Sequence, residues 1–402
     1  MSSLVSFSAL FVSILLVQFG SGSIGPLDAL AASARGFSLA EIGMLGSGHF
    51  LGFFIGCYWV PRLMKRIGYS RAFAAVTAIG VISVLLHTLW IGPWQWTVLR
   101  VVSGVSIAGA YTVLESWINQ KVTNQERGGV LGFFRLIDLV GNLGAQLLIS
   151  VLDPTSYVAF NVIAILVCLS LFPLTMTTHA SPELTRIPRI NVIKIFRLSP
   201  LGFLGVVVAG VSSASFRMVG PVYGEQTGLM PAQIALFLAA AVLGGAISQV
   251  PVGWLSDRVD RRRVLIVLSL LSLPVCYGLS RLPADAGTTV YWLSGLFGLV
   301  VFPIYSVSAA HANDFGADGN AVEINASLLA AYTLGAIVSP LTAGQVMQVL
   351  GTGALFGYIA CAHVLLVLIG LLRMRARPSA ERKMPFEPLP KTSWFVSKFM
   401  RR

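Results

Sequence analysis

Three arginines and a few carboxylates stand inside stretches that are otherwise apolar. A charge in such a setting is there for chemistry or for a partner. Arg100 lies in an apolar run one to two turns from its outer end. Arg135 and Asp138 are three residues apart, hence on one face of a helix. At 1.5 Å per residue, Asp138 sits about 15 Å from its helix start, near the middle of a ~30 Å hydrocarbon core. Arg217 and Asp28 lie near the ends of two further runs. The chemistry open to such groups is proton and ion traffic. A carboxylate in a low dielectric, beside a cation that swings between it and a solute, is an exchange switch. On that reading Asp138 carries a proton, Arg135 contacts an anion, and Asp28 with Arg217 forms an outer gate.

Each of these residues also has a plainer reading. Arg135 and Asp138 can be a self-neutralising pair that makes the helix insertable. Arg100 can snorkel or bind a carbonyl, and Asp28 and Arg217 can reach the interface independently. His49 and His87 read more readily as polar core residues than as relays, and His363 as peripheral. Glu115 reads as a structural partner for Arg127 or the basic loops. Gln18, Asn142, Gln146, Gln249, Tyr305 and Tyr332 line a path or join helices. Cys57, Cys168, Cys276 and Cys361 lie in apolar runs without metal-ligand spacing, and no disulfide is supported. No Walker loop, nucleophile elbow or metal cluster is present in the sequence. The expectation is a protein that is not an enzyme, needs no cofactor and holds no metal.

The elements that must carry these residues follow from composition. Of 402 residues, 11% are charged and 55% apolar, against roughly 25% charged in soluble domains. A span needs about 20 apolar residues. The pattern predicts spans at roughly 4–30, 39–60, 72–90, 95–117, 128–151, 156–176, 201–223, 231–255, 263–280, 288–311, 323–349 and 353–374. Ser38 with Glu41, Thr123 with Glu126, and Asn320 with Glu323 fit capping boxes, and Pro231 fits a first helical turn. Ala29-Leu-Ala31 imitates a signal-peptide cleavage site. No Lys or Arg precedes it and the apolar run is too long, so the segment reads as a retained first helix.

The net charge of +12 does not point to nucleic acid, because the basic residues sit in short loops and the tail. Arg62, Lys65, Arg66 and Arg71 follow the second span, Lys121 and Arg127 the fourth. Arg186, Arg189, Lys194 and Arg197 follow the sixth, and Arg258, Arg261, Arg262 and Arg263 the eighth. The opposite loops carry only Arg35 and Arg281. The positive-inside rule then puts both termini in the cytoplasm. The tail from Lys391 to Arg402, with Trp394, Phe395, Phe399 and Met400 among basic residues, suits either the anionic inner leaflet or a disordered state.

The densest charge cluster is Gly253-Trp-Leu-Ser-Asp-Arg-Val-Asp-Arg-Arg-Arg263, a tight turn between two spans. Asp257 suits a helix N-terminus. Its counterpart, Pro61-Arg-Leu-Met-Lys-Arg-Ile-Gly68, keeps Leu63, Arg66 and Gly68 but lacks the carboxylate. Gly36, Ala40 and Ile42 repeat as Gly228, Ala232 and Ile234. Gly25-Pro26 repeats as Gly220-Pro221, and Gly141 as Gly335. The halves are therefore a parallel repeat.

These residues carry a resemblance. Gly253, Leu255, Asp257, Arg258, Arg261 and Arg262 resemble the signature loop of the major facilitator superfamily, with Asp260 in place of its second glycine. Several further segments are similar to the superfamily's YcaD-type subgroup: Gln249-Val-Pro-Val-Gly253, Glu115-Ser-Trp-Ile-Asn119, Gly220-Pro-Val-Tyr223, Pro303-Ile-Tyr305 and Ala310-His-Ala-Asn-Asp314. Arg100 with Gly104 resembles a helix-4 motif whose arginine couples protons to transport. The helix-5 antiporter motif is absent, since Gly141-Asn-Leu-Gly-Ala-Gln146 stands there.

The resemblance implies an all-α membrane protein of twelve transmembrane helices in two pseudo-symmetric six-helix bundles. The bundles would be 1–176 and 201–374, with a cytoplasmic loop at 177–200 and a basic tail at 375–402. It implies a proton-coupled carrier in the cytoplasmic (inner) membrane, working by alternating access on a small solute. Gly253, Asp257, Arg258, Arg261 and Arg262 would hold one alternating state, with Asp257 facing the fifth helix near Gly128. Counting Arg100, Arg135 and Arg217 against Asp138, with Asp28 at the edge, favours an anionic solute. A multidrug or metabolite exporter and a non-transporting receptor or scaffold are the rivals.

Overall fold

The structure is a computed structural model in which residues 7–122, 127–176, 190–283, 286–316 and 321–376 are described. Among them there is no strand, and twelve helices are long and apolar enough to cross a membrane. They are α1 (Ser8–Ala34), α2 (Leu39–Ile67), α3 (Tyr69–Leu89), α4 (Pro93–Lys121), α5 (Arg127–Leu148), α6 (Tyr157–Thr175), α7 (Pro200–Gln226), α8 (Pro231–Arg258), α9 (Arg261–Ser280), α10 (Thr289–Asp314), α11 (Ala321–Leu350) and α12 (Ala354–Ala376). A seven-residue helix, Val192–Leu198, precedes α7.

The ends of these helices follow local chemistry. The Ser38–Glu41 capping box forms, with Ser38 N donating to Glu41 Oε2 at 2.8 Å and Glu41 N to Ser38 Oγ at 3.3 Å. Pro231 opens α8 as expected. The boxes expected at Thr123 and Asn320 lie outside the described residues. Gly68 alone separates α2 from α3 at a φ of 83°, a conformation that a Cβ resists. Gly25–Pro26 and Gly220–Pro221 do not end their helices, which run on to Ala34 and Gln226. In lipid, continuing a helix past a proline leaves fewer backbone groups unpaired than breaking it. The helical hydrogen bonding of α10 is interrupted between Val301 and Pro303.

The described residues form two compact units, one within 7–37 and 48–176 and the other within 38–47 and 190–376. Within the first, glycines set the helix spacing. A Cβ on Gly104 of α4 would lie 2.8 Å from Phe53 N, and closer still to His49 O on α2. A Cβ on Gly52 would lie 2.7 Å from the Val101 carbonyl carbon. The two backbones therefore touch, as small residues allow in membranes. The second unit repeats the crossing. A Cβ on Gly244 of α8 would meet the Gly295 carbonyl carbon at 2.8 Å, and one on Gly298 of α10 the Ala241 carbonyl carbon at 2.6 Å.

Candidate functional site

The α2–α4 crossing fixes Arg100 one turn from Gly104, and there the first bundle gathers three ionisable side chains. Asp28 Oδ2 of α1 lies 3.3 Å from His87 Nε2 of α3 and 3.5 Å from Arg100 Nε of α4. None of the three side chains is more than 2% exposed. The fully buried Trp96 braces the trio. Its indole N–H donates to His87 O at 3.1 Å, and its ring lies 5.2 Å from the imidazole. Phe160 stacks on the imidazole's other neighbour space at 5.7 Å with the planes 17° apart.

The hydrogen-bond partners fix where a proton must be. His87 Nδ1 is 2.7 Å from Ser83 O, and a carbonyl only accepts, so Nδ1 carries hydrogen. The neutral ring would then turn the lone pair of Nε2 toward the Asp28 carboxylate. The two atoms face each other at 3.3 Å, and neither has a hydrogen-bond partner among the described residues.

The second half shows what this crossing looks like without charge. By the relation of Gly25–Pro26 to Gly220–Pro221, Asp28 corresponds to Tyr223. Its hydroxyl donates to Leu279 O of α9 at 2.5 Å, and Phe356 packs on its ring at 4.8 Å. A tyrosine suffices to join the first and third helices of a bundle. The charged trio is an addition beyond what packing requires.

Lower in the first bundle, Arg135 and Asp138 do not pair as sequence suggested. Their separation along α5 lets each reach a different neighbour on α4. Arg135 Nη2 lies 4.0 Å from Glu115 Oε1, while Asp138 Oδ1 accepts from the Tyr111 hydroxyl at 3.0 Å. Gln18 of α1 also touches that hydroxyl. Glu115 is 2% exposed and partners Arg135; Arg127, its expected partner, has no described side chain. Asp28 meets His87 and Arg100 of its own bundle, where sequence paired it with Arg217. Arg217 sits on α7 near Tyr332, whose hydroxyl bonds to Ser213. Three deep arginines now stand against Asp28, Glu115 and Asp138, so the excess of buried positive charge that suggested an anionic solute is gone.

His87 and Tyr111 are the site residues that sequence reasoning missed. The one available signal was the row Thr77, Gly80, Val84 and His87, which puts small and polar types on a single face of α3. His363, expected at the periphery, is fully buried with Nε2 3.1 Å from Ser212 Oγ and Nδ1 3.4 Å from Ser269 Oγ.

The charged turn of the second half is a clamp. Arg261, at 1% side-chain exposure, reaches Asp257 Oδ1 at 3.0 Å and Asp314 Oδ2 at 3.3 Å, tying the α8–α9 turn to the end of α10. Asp257 is thus held by Arg261, whatever faces Gly128, which has no described side chain. Gly253 is buried, and Arg258 lies over the Trp254 ring at 3.8 Å. Asp260 caps α9, accepting from Arg262 N at 3.0 Å and pairing with Arg262 Nη2 at 2.6 Å. Burial alone would raise its carboxyl. The hydrogen bonds from Arg262 and the charges of Arg262 and His311 outweigh that and hold it below the usual range. This cap accounts for an aspartate where the resembling motif has glycine.

Twelve membrane-length helices, a charged turn and buried ionisable groups fit a secondary transporter of the major facilitator type. The model of the Major Facilitator Superfamily matches residues 10–315 and 202–402, and the chain belongs to that family. Within it the chain is YcaD-like. It is 27% identical over 338 residues to the uncharacterized MFS-type transporter YcaD of Escherichia fergusonii, covering 83% of this chain and 87% of that one. It is 26% identical over 363 residues to YcaD of Escherichia coli strain K12, covering 90% and 93%. Among solved structures, the nucleoside transporter NupG superposes with a TM-score of 0.78 at 11% identity over 92% of this chain and 99% of that one. The D-xylose–proton symporter does so with a TM-score of 0.73 at 13% identity over 94% and 99%. These likenesses concern the fold. The chain is a multi-pass membrane protein.

Proposed function

We propose that this transporter is proton-coupled, and that Asp28 and His87 bind the coupled proton while Arg100 holds their position. The observation that carries the reading is the imidazole fixed between a carbonyl at 2.7 Å and a carboxylate at 3.3 Å. With the proton bound, both contacts attract. Without it one repels, and α3 loses a tie to its own turn or to α1. Proton content and helix arrangement are thereby linked, as alternating access requires. The absence of any such group at Tyr223 supports a functional origin for the charges.

The solute is a small molecule. An anionic group on it would meet Arg217, which lies beside Tyr332. The clamp around Arg261, with Asp257 and Arg258, holds one of the alternating states. The membrane is the bacterial cytoplasmic membrane, with both termini inside.

Purified protein in proteoliposomes, with a pH dye inside, tests this. Nucleosides and D-xylose, the solutes named for the structural neighbours, head the screen, followed by small anions. The expected result is solute-dependent proton movement that His87→Gln and Asp28→Asn abolish. Asp257→Asn and Arg258→Ala slow it without lowering expression. Solute flux that carries no protons refutes the coupling, and absence of flux for every solute class favours a receptor.

A further inference from the structure

The first bundle holds a cavity lined by α1, α3, α4 and α6, and three of these helices line it with the faces that carry the trio. On α1 these are Val17, Ser21 and Ile24, leading to Asp28. On α3 they are Thr77, Gly80 and Val84, leading to His87. On α4 they are Ser103, Ser106 and Ile107, one turn and more from Arg100. At its far end the same faces reach the second cluster, since Gln18 lies one turn from Ser21 and Tyr111 one turn from Ile107. The space open to the centre of a water molecule is about 20 Å³, enough for a water when polar partners are present. One partner is waiting: Thr77 Oγ1 is buried with no hydrogen-bond partner among the described residues. So is Asp28 Oδ1 at the upper end. A buried hydroxyl left in that state calls for a water.

We propose that this cavity is a hydrated proton path inside the first bundle, joining Asp28–His87 to the Gln18–Tyr111–Asp138 cluster. The distance from Asp28 to Gln18 along α1 is about 15 Å, half a hydrocarbon core. A proton leaving the Asp28–His87 pair is handed on by water and the hydroxyls of Ser103, Thr77 and Ser106 to the Tyr111 oxygen. The phenol then passes its own proton to the Asp138 carboxylate, along the hydrogen bond it already donates. Every transfer moves one proton between oxygens or to nitrogen, and no oxidant or further reactant enters. Nothing in the route needs the solute, so proton loading and solute binding occupy different places.

The path rests on the proton-site reading above, and one experiment separates the two. Trp96, in contact with His87, is the reporter, because an imidazolium quenches indole emission more than a neutral imidazole does. The His87-dependent emission is wild type minus H87Q, measured in proteoliposomes at equilibrium and after a pH jump on one side. The wild type is expected to show a His87-dependent step. Thr77→Val removes the hydroxyl at constant volume. Gly80→Ala puts a methyl 2.9 Å from Ser106 Cβ, and closer to its hydroxyl, so it fills the cavity at the cost of a small shift of α3 against α4. Both should slow the step by roughly tenfold or more, short of the 10²–10⁴ a positioned proton-transfer group is worth, and leave its midpoint in place. Asp138→Asn should slow it for jumps on one side only. Unchanged rates in T77V and G80A mean a dry void and overturn the path. Absence of any His87-dependent step removes the proton site, and the path with it.

Discussion

Replacing Asp28 with asparagine should cost more than replacing Asp28 and Arg100 together. Asp28 Oδ2 and Arg100 Nε are 3.5 Å apart at no more than 2% exposure. At an effective dielectric of about 20, two unit charges at that distance attract by about 5 kcal/mol. Asp28→Asn removes this attraction at a buried guanidinium, a change worth roughly 3–5 kcal/mol. Asp28→Asn with Arg100→Gln removes both charges and leaves amides that hydrogen-bond each other. The double variant should recover most of the loss. For a unit of this size 1 kcal/mol moves the melting temperature by roughly 2–4 °C, so the single variant should melt roughly 6–20 °C lower. A thiol-reactive dye supplies the assay, because Cys57 is buried in the first bundle and becomes labelled as that bundle opens. A double variant no more stable than the single one refutes the ion pair as the element that makes Asp28 necessary for folding. Both variants should lack proton movement, which separates the structural role from the coupling role.

Three further outcomes follow from the same geometry. Gly104→Ala must push α4 from α2, costing about 1–3 kcal/mol, and should abolish the His87-dependent emission change by moving Arg100; a normal pH response would contradict the crossing. Arg135→Gln should lower the Cys57 melting point more than Glu115→Gln, because Glu115 is 2% exposed and Arg135 29%. The expected losses are roughly 3 kcal/mol against under about 1. Asp260→Ala should cost about 1 kcal/mol through loss of the α9 cap, read from Cys276 labelling. Because the folded carboxyl is held below its usual range, its contribution is complete above about pH 4 and disappears as pH falls through the folded value. The wild-type advantage should be flat from about pH 5 to 8 and shrink in more acid solution.

The fold was legible because lipid makes apolar length a direct reading of helix number. The internal repeat was legible because Gly25–Pro26 and Gly220–Pro221 keep their spacing. The site was legible one helix at a time. Arg100, Asp28, Arg135 and Asp138 stood out because charge in an apolar run is rare. Their partners did not, because pairing depends on how helices are rotated, which single-chain periodicity leaves open when α1, α3 and α4 are apolar nearly all round. His87 was the clearest loss. A histidine among leucines has several structural uses, and only the carbonyl of Ser83 and the carboxylate of Asp28 together place it in the site. Asp260 was read as a departure from a motif until its hydrogen bonds to Arg262 gave it a job.

The unlike pair Asp28 and Tyr223 has a thermodynamic consequence. Only one of two equivalent positions carries a carboxylate, so under the proposed coupling the trio would accept one elementary charge per turnover. At a potential of 100 mV one charge yields about 2.3 kcal/mol. On an electroneutral solute that sets a ceiling near fiftyfold accumulation from voltage alone, with each pH unit across the membrane multiplying it by about ten.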